Sequence, residues 1–298
     1  MAPTSSTREG DPHPDLADLC ERLEDVRRTG ELGNSGLDLR DLGGWRPTTL
    51  AVLLASISAA CDGGRGVPPI QADGAACLEP SALERLIQQR ASHWHEETGS
   101  GTIVGSTIFN DQESVHTMLQ EVASHVHPRL GLSSTWLASA HALGYELATN
   151  VLRHSEAERG VGVVEVDPGR SCLRLAIADN GIGIRTSLAR NPKYATTEDL
   201  AAIIASMRAA ATGEPGKGAG MGLYLAQHVL RDNGGVLLVR SGTAHREVAA
   251  GADSHATDLA YLQGTLVAVE ARTDRSLDYG RVDKELSAPP GISDRTED

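Results

Sequence analysis

The amino-acid sequence predicts an α+β fold: a two-layer α/β sandwich, a mixed sheet with helices on one face, preceded by a small α/β domain. Three observations carry this prediction. Apolar residues recur at helical spacing over about 112 to 128 and 134 to 154. Two strand-like runs, VGVVEV and CLRLAIA, follow and are joined by Asp-Pro-Gly at 167–169, which favours a tight turn. A glycine-rich stretch then opens another apolar-periodic helix from Leu223.

The part of the chain before residue 111 alternates between strand-like and helix-like patterns. LDLR reads as a short strand, Thr49 to Ala60 carries helical apolar spacing, EPSALERLIQQR is helix-like and TIVGSTIF is strand-like. Such alternation is typical of a small α/β unit. We therefore expect a domain over 31–110, with a boundary near residue 110 and a polar, flexible segment over 1–30.

The C-terminal part shows two features. Residues 273–298 are charged and have no apolar period, which predicts a disordered tail and ends the main domain, 111–272, before it. Residues Gly242 to His255 form an acidic, alanine-rich excursion between strands, for which the sequence suggests no function.

The stretch ELATNVLRH places three polar side chains on one helix face. Glu146, Asn150 and His154 recur at i, i+4 and i+8, so helical periodicity directs them to the same side. An Asn carbonyl suits Mg²⁺, and a carboxylate one turn away can take a proton from an attacking hydroxyl or water. A capping Asn, a solvated Glu and a helix-end histidine are the structural alternatives, and for His154 we favour the structural one.

The stretch DNGIGI follows a strand-like apolar run, so Asp179 is expected at a strand end. A carboxylate there can accept a hydrogen bond from an exocyclic amine such as adenine N6, and Gly183 allows backbone to approach a flat ring. An ordinary Asp-Asn-Gly turn is the alternative.

The stretch GKGAGMGL precedes a helix, and glycines before a helix N-terminus expose N–H groups to phosphate oxygens. Its spacing fits neither GxxxxGK[ST] nor GxGxxG, which excludes a P-loop and a Rossmann turn. A mobile linker is the alternative.

In this order and spacing, the three stretches resemble the N, G1 and G2 boxes of the Bergerat-type (GHKL) ATPases, the superfamily of gyrase, Hsp90, MutL and histidine kinases. ELATNVLRH is most similar to the box of the anti-sigma-factor serine kinases, E-x-x-x-N-x-x-x-H. The resemblance covers about residues 111 to 271 and implies a Bergerat fold. The segment Arg185 to Gly216, with a helix predicted over Thr197 to Ala210, then corresponds to the ATP lid; a permanently packed helix is the alternative.

The resemblance also implies roles for individual residues and the cofactors ATP and Mg²⁺. Glu146 becomes the general base, Asn150 the magnesium ligand, and Asp179 the adenine reader. Thr265, after Gly264, resembles the Gly-Thr element that supports this Asp. The remaining nucleotide-binding candidates surround the base and the phosphates: Gly181, Gly183, Lys217, Gly218, Gly220, Met221, Gly222 and Leu223. In addition, a strand ending in LDLR before a helix gives 31–110 a weak similarity to STAS domains of anti-anti-sigma factors, although the typical Asp-Ser-Ser-Gly is absent.

Composition narrows the partners and the compartment. A net charge of −13 and a pI near 5.3 argue against nucleic acid or an anionic membrane as the main partner. The N-terminus lacks a signal-peptide core, and the longest apolar run, Leu50 to Cys61, is too short to span a bilayer. The four cysteines show no zinc spacing, as expected for reduced thiols. We expect a cytoplasmic protein.

Three functions fit the predicted site. The first is a serine/threonine protein kinase of the anti-sigma type, which phosphorylates or sequesters a regulatory partner such as a sigma factor or an anti-anti-sigma-like protein. The second is a non-catalytic, ATP-dependent protein-interaction switch, and the third is a simple ATPase. A two-component histidine kinase is disfavoured because no long pair of phosphoacceptor helices precedes the domain. Relatives of the superfamily often form homodimers, so a homodimer is a further expectation.

Overall fold

The computed structural model describes residues 13–29, 37–39, 46–62, 70–71, 80–88, 92–96, 101–213 and 220–287. In chain order, its elements are α1 (Pro14–Thr29), β1 (Leu37–Asp38), α2 (Pro47–Asp62), β2 (Ile70–Gln71), α3 (Pro80–Leu83) continued by a π-helix (Glu84–Gln88), β3 (His93–Glu96), β4 (Ile103–Phe109), α4 (Gln112–Leu130), α5 (Ser134–His154), β5 (Gly160–Asp167), β6 (Cys172–Asp179), α6 (Gly183–Leu188), a 3₁₀ helix (Pro192–Tyr194), α7 (Asp199–Ser206), α8 (Gly222–Asn233), β7 (Val236–Gly242), β8 (Ala244–Ala249), β9 (Ala252–Ala256), β10 (Leu262–Arg272) and α9 (Tyr279–Ser287).

An eight-stranded sheet with the order β3-β4-β5-β6-β10-β7-β8-β9 organises the molecule. We predicted a mixed sheet, but all seven neighbouring pairs are antiparallel. The reason is the position of β10. Strands β6 and β7 run in the same direction, as expected for strands joined through helices, yet β10 lies between them and is antiparallel to both. The predicted hairpin of β5 and β6 is confirmed.

Helices α4, α5, α7 and α8 cover one face of the sheet, and α9 packs on α5 and α8. Helices α4 and α5 confirm the two predicted helices, and both begin with a side-chain cap, Asp111 and Ser133 respectively. Leu147 and Val229 contribute apolar side chains from the helices to this core, while Val164 contributes from the sheet. This core includes α5, the helix that carries the predicted site residues Glu146 and Asn150.

The opposite face is covered by the N-terminal part of the chain, and this corrects two predictions. Leu53 of α2 and Leu19 of α1 belong to one apolar cluster with Val161 and Ala176 of the sheet. The segment 1–30 therefore contains a packed helix, and the sheet has helices on both faces rather than one. Helix α2 is buried almost all round because it lies between α1 and the sheet.

The predicted domain boundary near residue 110 does not separate two sheets. Strand β4 pairs along its whole length with β5, from Ile103 opposite Val166 to Phe109 opposite Gly160. The prediction of an independent domain over 31–110 is therefore wrong as far as β3 and β4 are concerned, because these strands extend the main sheet. Of the remaining region, β1 and β2 form a separate parallel pair, and residues 40–45, 63–69 and 72–79 lie outside the described part.

Two predictions about the C-terminal third are also corrected. The excursion from Gly242 to His255 forms β8 and β9, which extend the sheet as a hairpin. The expected disordered tail contains α9, because Leu277 and Val282 are buried in the core beside α5 and α8. Residues 288–298 lie outside the described part. None of the helices within the described ranges is both long and apolar enough to cross a membrane.

The packing of α2 on the sheet predicts a stability effect. Leu53 is fully buried, so Leu53→Ala should lower the free energy of unfolding of the whole protein by about 2–5 kcal/mol. Urea unfolding followed by circular dichroism checks this, with the exposed Glu24→Ala on α1 as the control. A biphasic transition in which only a minor part of the signal shifts would show that α2 belongs to a separate unit.

Candidate nucleotide site

A cavity of about 460 Å³ lies where α5 and α8 meet the end of β6. Its walls also include residues of α6, of the segment 211–213, of β10 and of α9. Most of the predicted site residues line it: Glu146, Asn150, His154, Asp179, Gly183, Gly220, Met221, Gly222, Leu223 and Thr265. Stretches that lie far apart in sequence therefore meet in one place.

Helix α5 directs a polar stripe into the cavity. Glu146, Asn150 and His154 all line it, as the i, i+4, i+8 spacing predicts. His154 is also the last residue of the helix, as its structural alternative predicts. Arg153 lines the cavity as well, although we did not select it from the sequence. Its position seven residues after Glu146 was the available signal, because that spacing returns to the same helix face.

Asp179 is a buried carboxylate at the end of β6. Its side chain accepts a hydrogen bond of 2.9 Å from the N–H of Gly181, and the residue is 4% exposed. Burial raises the pKa of Asp179 to about 6, against the opposing effect of backbone hydrogen bonds from Gly181 and Thr265. Thr265 lies directly opposite Asp179 in the pairing of β10 with β6. The predicted Gly-Thr element thus adjoins the predicted adenine reader.

The turn after Asp179 is bonded to three other elements. The N–H of Ile182 donates to the carbonyl of Ser155 at the end of α5, at 2.8 Å. The Ser241 hydroxyl of β7 accepts from the N–H of Ile184 at 3.0 Å and donates to the carbonyl of Gly264 at 2.8 Å. Ser241 was missed by the sequence analysis, because nothing in its local sequence indicates a partner 57 residues away.

Gly264 shows how closely β10 approaches this turn. Its φ is +81°, and a Cβ atom there would lie 2.2 Å from the carbonyl oxygen of Asp179. A side chain at this position would therefore displace Asp179. Gly181 is another predicted site residue in this turn. Its carbonyl accepts a hydrogen bond from the side chain of Gln263, so β10 also positions Gly181.

The start of α8 lies against the polar stripe of α5. A Cβ atom on Gly222 would lie 3.2 Å from Glu146 Oε2 and 3.4 Å from Asn150 Nδ2. Glycine at 222 thus leaves space beside both side chains, where the first N–H groups of α8 are expected to attract an anion. Lys217 and Gly218 of the predicted phosphate loop lie outside the described residues.

The segment predicted as a lid is partly packed. We expected a helix over Thr197 to Ala210, whereas α7 is shorter and begins after Glu198. Asp199 accepts hydrogen bonds from the backbone and side chain of Thr243, at 2.9 and 3.1 Å. Ile203 is fully buried. These contacts support the alternative of a packed helix for α7.

Asn150 and Glu146 fit a magnesium ion that a phosphate also binds. Within the described ranges, no three His, Cys, Asp or Glu residues cluster in a way that could hold a metal ion. Mg²⁺ does not need such a cluster, because it commonly takes one or two protein oxygens and completes its shell with phosphates and water. Asn150 lines the cavity beside the start of α8, and Gly222 places no side chain between the two helices there.

Comparison with known protein families gives this part of the chain its class. Residues 139–267 match the family model HATPase_c, described as histidine kinase-, DNA gyrase B- and HSP90-like ATPase. The chain therefore contains a GHKL-type ATPase domain, a class that binds ATP, usually with Mg²⁺. The match covers most of α5, all of α8 and the boxes, but not the helices α1, α2 and α9. A search of the curated proteins finds no match.

The raised pKa of Asp179 predicts a pH dependence of nucleotide binding. The ionised carboxylate of Asp179 can accept a hydrogen bond from adenine N6 with either oxygen, whereas protonation occupies one of the two oxygens. The affinity for ATP should therefore rise as the pH increases through about 6. Isothermal titration calorimetry from pH 5 to 8 measures it. Asp179→Asn should bind weakly at every pH; the same pH dependence in this variant would contradict the role of Asp179.

Proposed function

We propose that the protein is an ATP- and Mg²⁺-dependent serine/threonine protein kinase of the anti-sigma type, acting on a regulatory partner protein in the cytoplasm. The GHKL-type domain supports ATP binding. The observation that carries the proposal of catalysis is the position of Glu146. Its carboxylate lies in the cavity one helical turn from Asn150 and beside Gly222, at the start of α8.

In this geometry, Glu146 and Asn150 of α5 have different roles in phosphoryl transfer. A nucleotide whose adenine contacts Asp179 and whose phosphates reach the start of α8 has its terminal phosphate beside Glu146 and Asn150. Glu146 takes the proton of the attacking hydroxyl, whose oxygen bonds to the γ-phosphorus as the bond to the β-γ bridging oxygen breaks. Asn150 would hold the magnesium ion, which would neutralise charge on the phosphates.

Two features of the sequence bear on the identity of the partner. The E-x-x-x-N-x-x-x-H form of the α5 stripe supports the anti-sigma class, whose partners are sigma factors and anti-anti-sigma-like proteins. A net charge of −13 favours a partner with a basic surface. The STAS similarity adds little support, because β3 and β4 belong to the main sheet.

Hydrolysis of ATP is the second candidate. Water can replace the hydroxyl acceptor at Glu146, and the presence of Tyr279 and Asp283 of α9 in the wall of the same cavity favours a small acceptor. A nucleotide-dependent switch without turnover uses the same binding residues, and measurement of turnover separates it from both.

Glu146→Gln should separate binding from chemistry. The variant keeps the shape of the side chain but cannot accept the proton, so phosphoryl transfer or hydrolysis should fall by about 10²- to 10⁴-fold while the Kd for ATP changes little. Release of labelled phosphate and transfer of label to proteins of a lysate report the two reactions, with the exposed Glu158→Gln as the control. Binding without any turnover in the wild type would support the switch instead.

Asn150→Ala should uncouple nucleotide binding from magnesium. In the wild type, Mg²⁺ should increase the affinity for ATP, whereas the variant should bind ATP with an affinity that depends little on Mg²⁺. Titrations with and without EDTA measure the difference. An unchanged magnesium effect in the variant would refute Asn150 as the ligand.

A further inference from the structure

Helix α9 lies outside the matched domain but is docked on its two site-bearing helices. The N–H of Tyr279 donates to the Ser139 hydroxyl of α5 at 3.1 Å, and Arg281 forms an ion pair of 2.6 Å with Asp232 of α8. Leu277 and Val282 are buried below it. These contacts fix α9 relative to both sides of the cavity.

Two side chains of α9 reach the cavity. Tyr279 and Asp283 are one helical turn apart and both line it. Neither belongs to the N, G1 or G2 boxes, and both follow residue 267, where the family match ends. They are therefore additions of this chain to the wall of the nucleotide site.

Tyr279 lies at the end of the cavity that holds Glu146. The backbone N–H of Tyr279 bonds to Ser139, which precedes Glu146 on α5, whereas the turn after Asp179 bonds to Ser155 at the other end of that helix. The negative charges of Glu146 and Asp283 act on the Tyr279 phenol. Burial, together with these charges, raises the pKa of Tyr279 above its ordinary value. The phenol therefore keeps its proton at neutral pH and can donate a hydrogen bond.

A neutral hydrogen-bond donor can stabilise a phosphate at this end of the cavity. Glu146 and Asp283 are both carboxylates, and a terminal phosphate placed beside them experiences repulsion. The phosphate needs hydrogen-bond donors there in addition to Arg153 and a metal ion. The Tyr279 hydroxyl supplies a donor without adding a charge that would compete with magnesium.

We propose that Tyr279 donates a hydrogen bond from its hydroxyl to the terminal phosphate of a bound nucleoside triphosphate, so that α9 makes the site discriminate triphosphate from diphosphate. The inference rests on the proposed nucleotide site. During phosphoryl transfer the Tyr279 hydroxyl keeps its proton: the acceptor oxygen gains the bond to phosphorus, ADP leaves with the bridging oxygen, and Glu146 takes the proton of the acceptor.

The test compares two ligands in three forms of the full chain. The Kd values of ADP and of an ATP analogue with a non-hydrolysable imido bridge are measured by calorimetry, in Mg²⁺, for the wild type, Tyr279→Phe and Lys284→Ala. Tyr279→Phe should bind the triphosphate analogue about three- to tenfold more weakly and ADP within about twofold of the wild type, since one hydrogen bond is lost. Lys284→Ala, an exposed change on α9, should bind both ligands normally.

Each other outcome points to a distinct failure. Equal affinities of Tyr279→Phe and the wild type for both ligands, or an equal loss for both, would overturn the proposal, because the hydroxyl then does not distinguish the terminal phosphate. Detection of phosphate on Tyr279 by mass spectrometry after incubation with ATP would also overturn it, since the residue would then be an acceptor. A wild type that binds neither ligand would refute the nucleotide site itself, and this is visible before any variant is compared.

Discussion

The buried Asp179 carboxylate is the constraint on which the site depends. A carboxylate that is 4% exposed is costly unless its oxygens are bonded, and here backbone N–H groups of Gly181 and Thr265 approach it from opposite sides. Those bonds require the turn after β6 and the start of β10 to lie together. The same turn is bonded to the end of α5 through Ser155, so the helix that carries Glu146 and Asn150 is positioned from the Asp179 end of the site.

The second requirement is close approach between α5 and α8. Glycine at 222 lets the first turn of α8 come within contact distance of Glu146 and Asn150, where any side chain would occupy the space. Phosphate, magnesium and a proton acceptor are thereby expected within one small volume. The charge balance of that volume is mixed: Glu146 and Asp283 are acidic, Arg153 is basic, and Tyr279 is a neutral donor. With two carboxylates in it, such a site is expected to bind a triphosphate together with a metal ion.

Local patterns predicted the elements whose partners are close in sequence. The β5–β6 hairpin and helices α4 and α5 follow from periodicity and turn residues, and the boxes placed Asn150 and Asp179 at one cavity. The partners of distant segments were not predictable in this way. The apolar run of α2 indicates a buried helix but not the sheet face that buries it. In α9, a few apolar residues spaced one turn apart are enough for docking, yet they are obscured by the surrounding charges.

The parts of the chain outside the family match restrict how a partner protein can act. Helices α1 and α2 occupy the sheet face opposite the site, so that face is not available for docking. On the site face, Tyr279 and Asp283 of α9 line the same cavity as Glu146. If a partner protein shifts α9, we expect the hydrogen bond proposed for Tyr279 to change with it, which would couple partner binding to the state of the nucleotide.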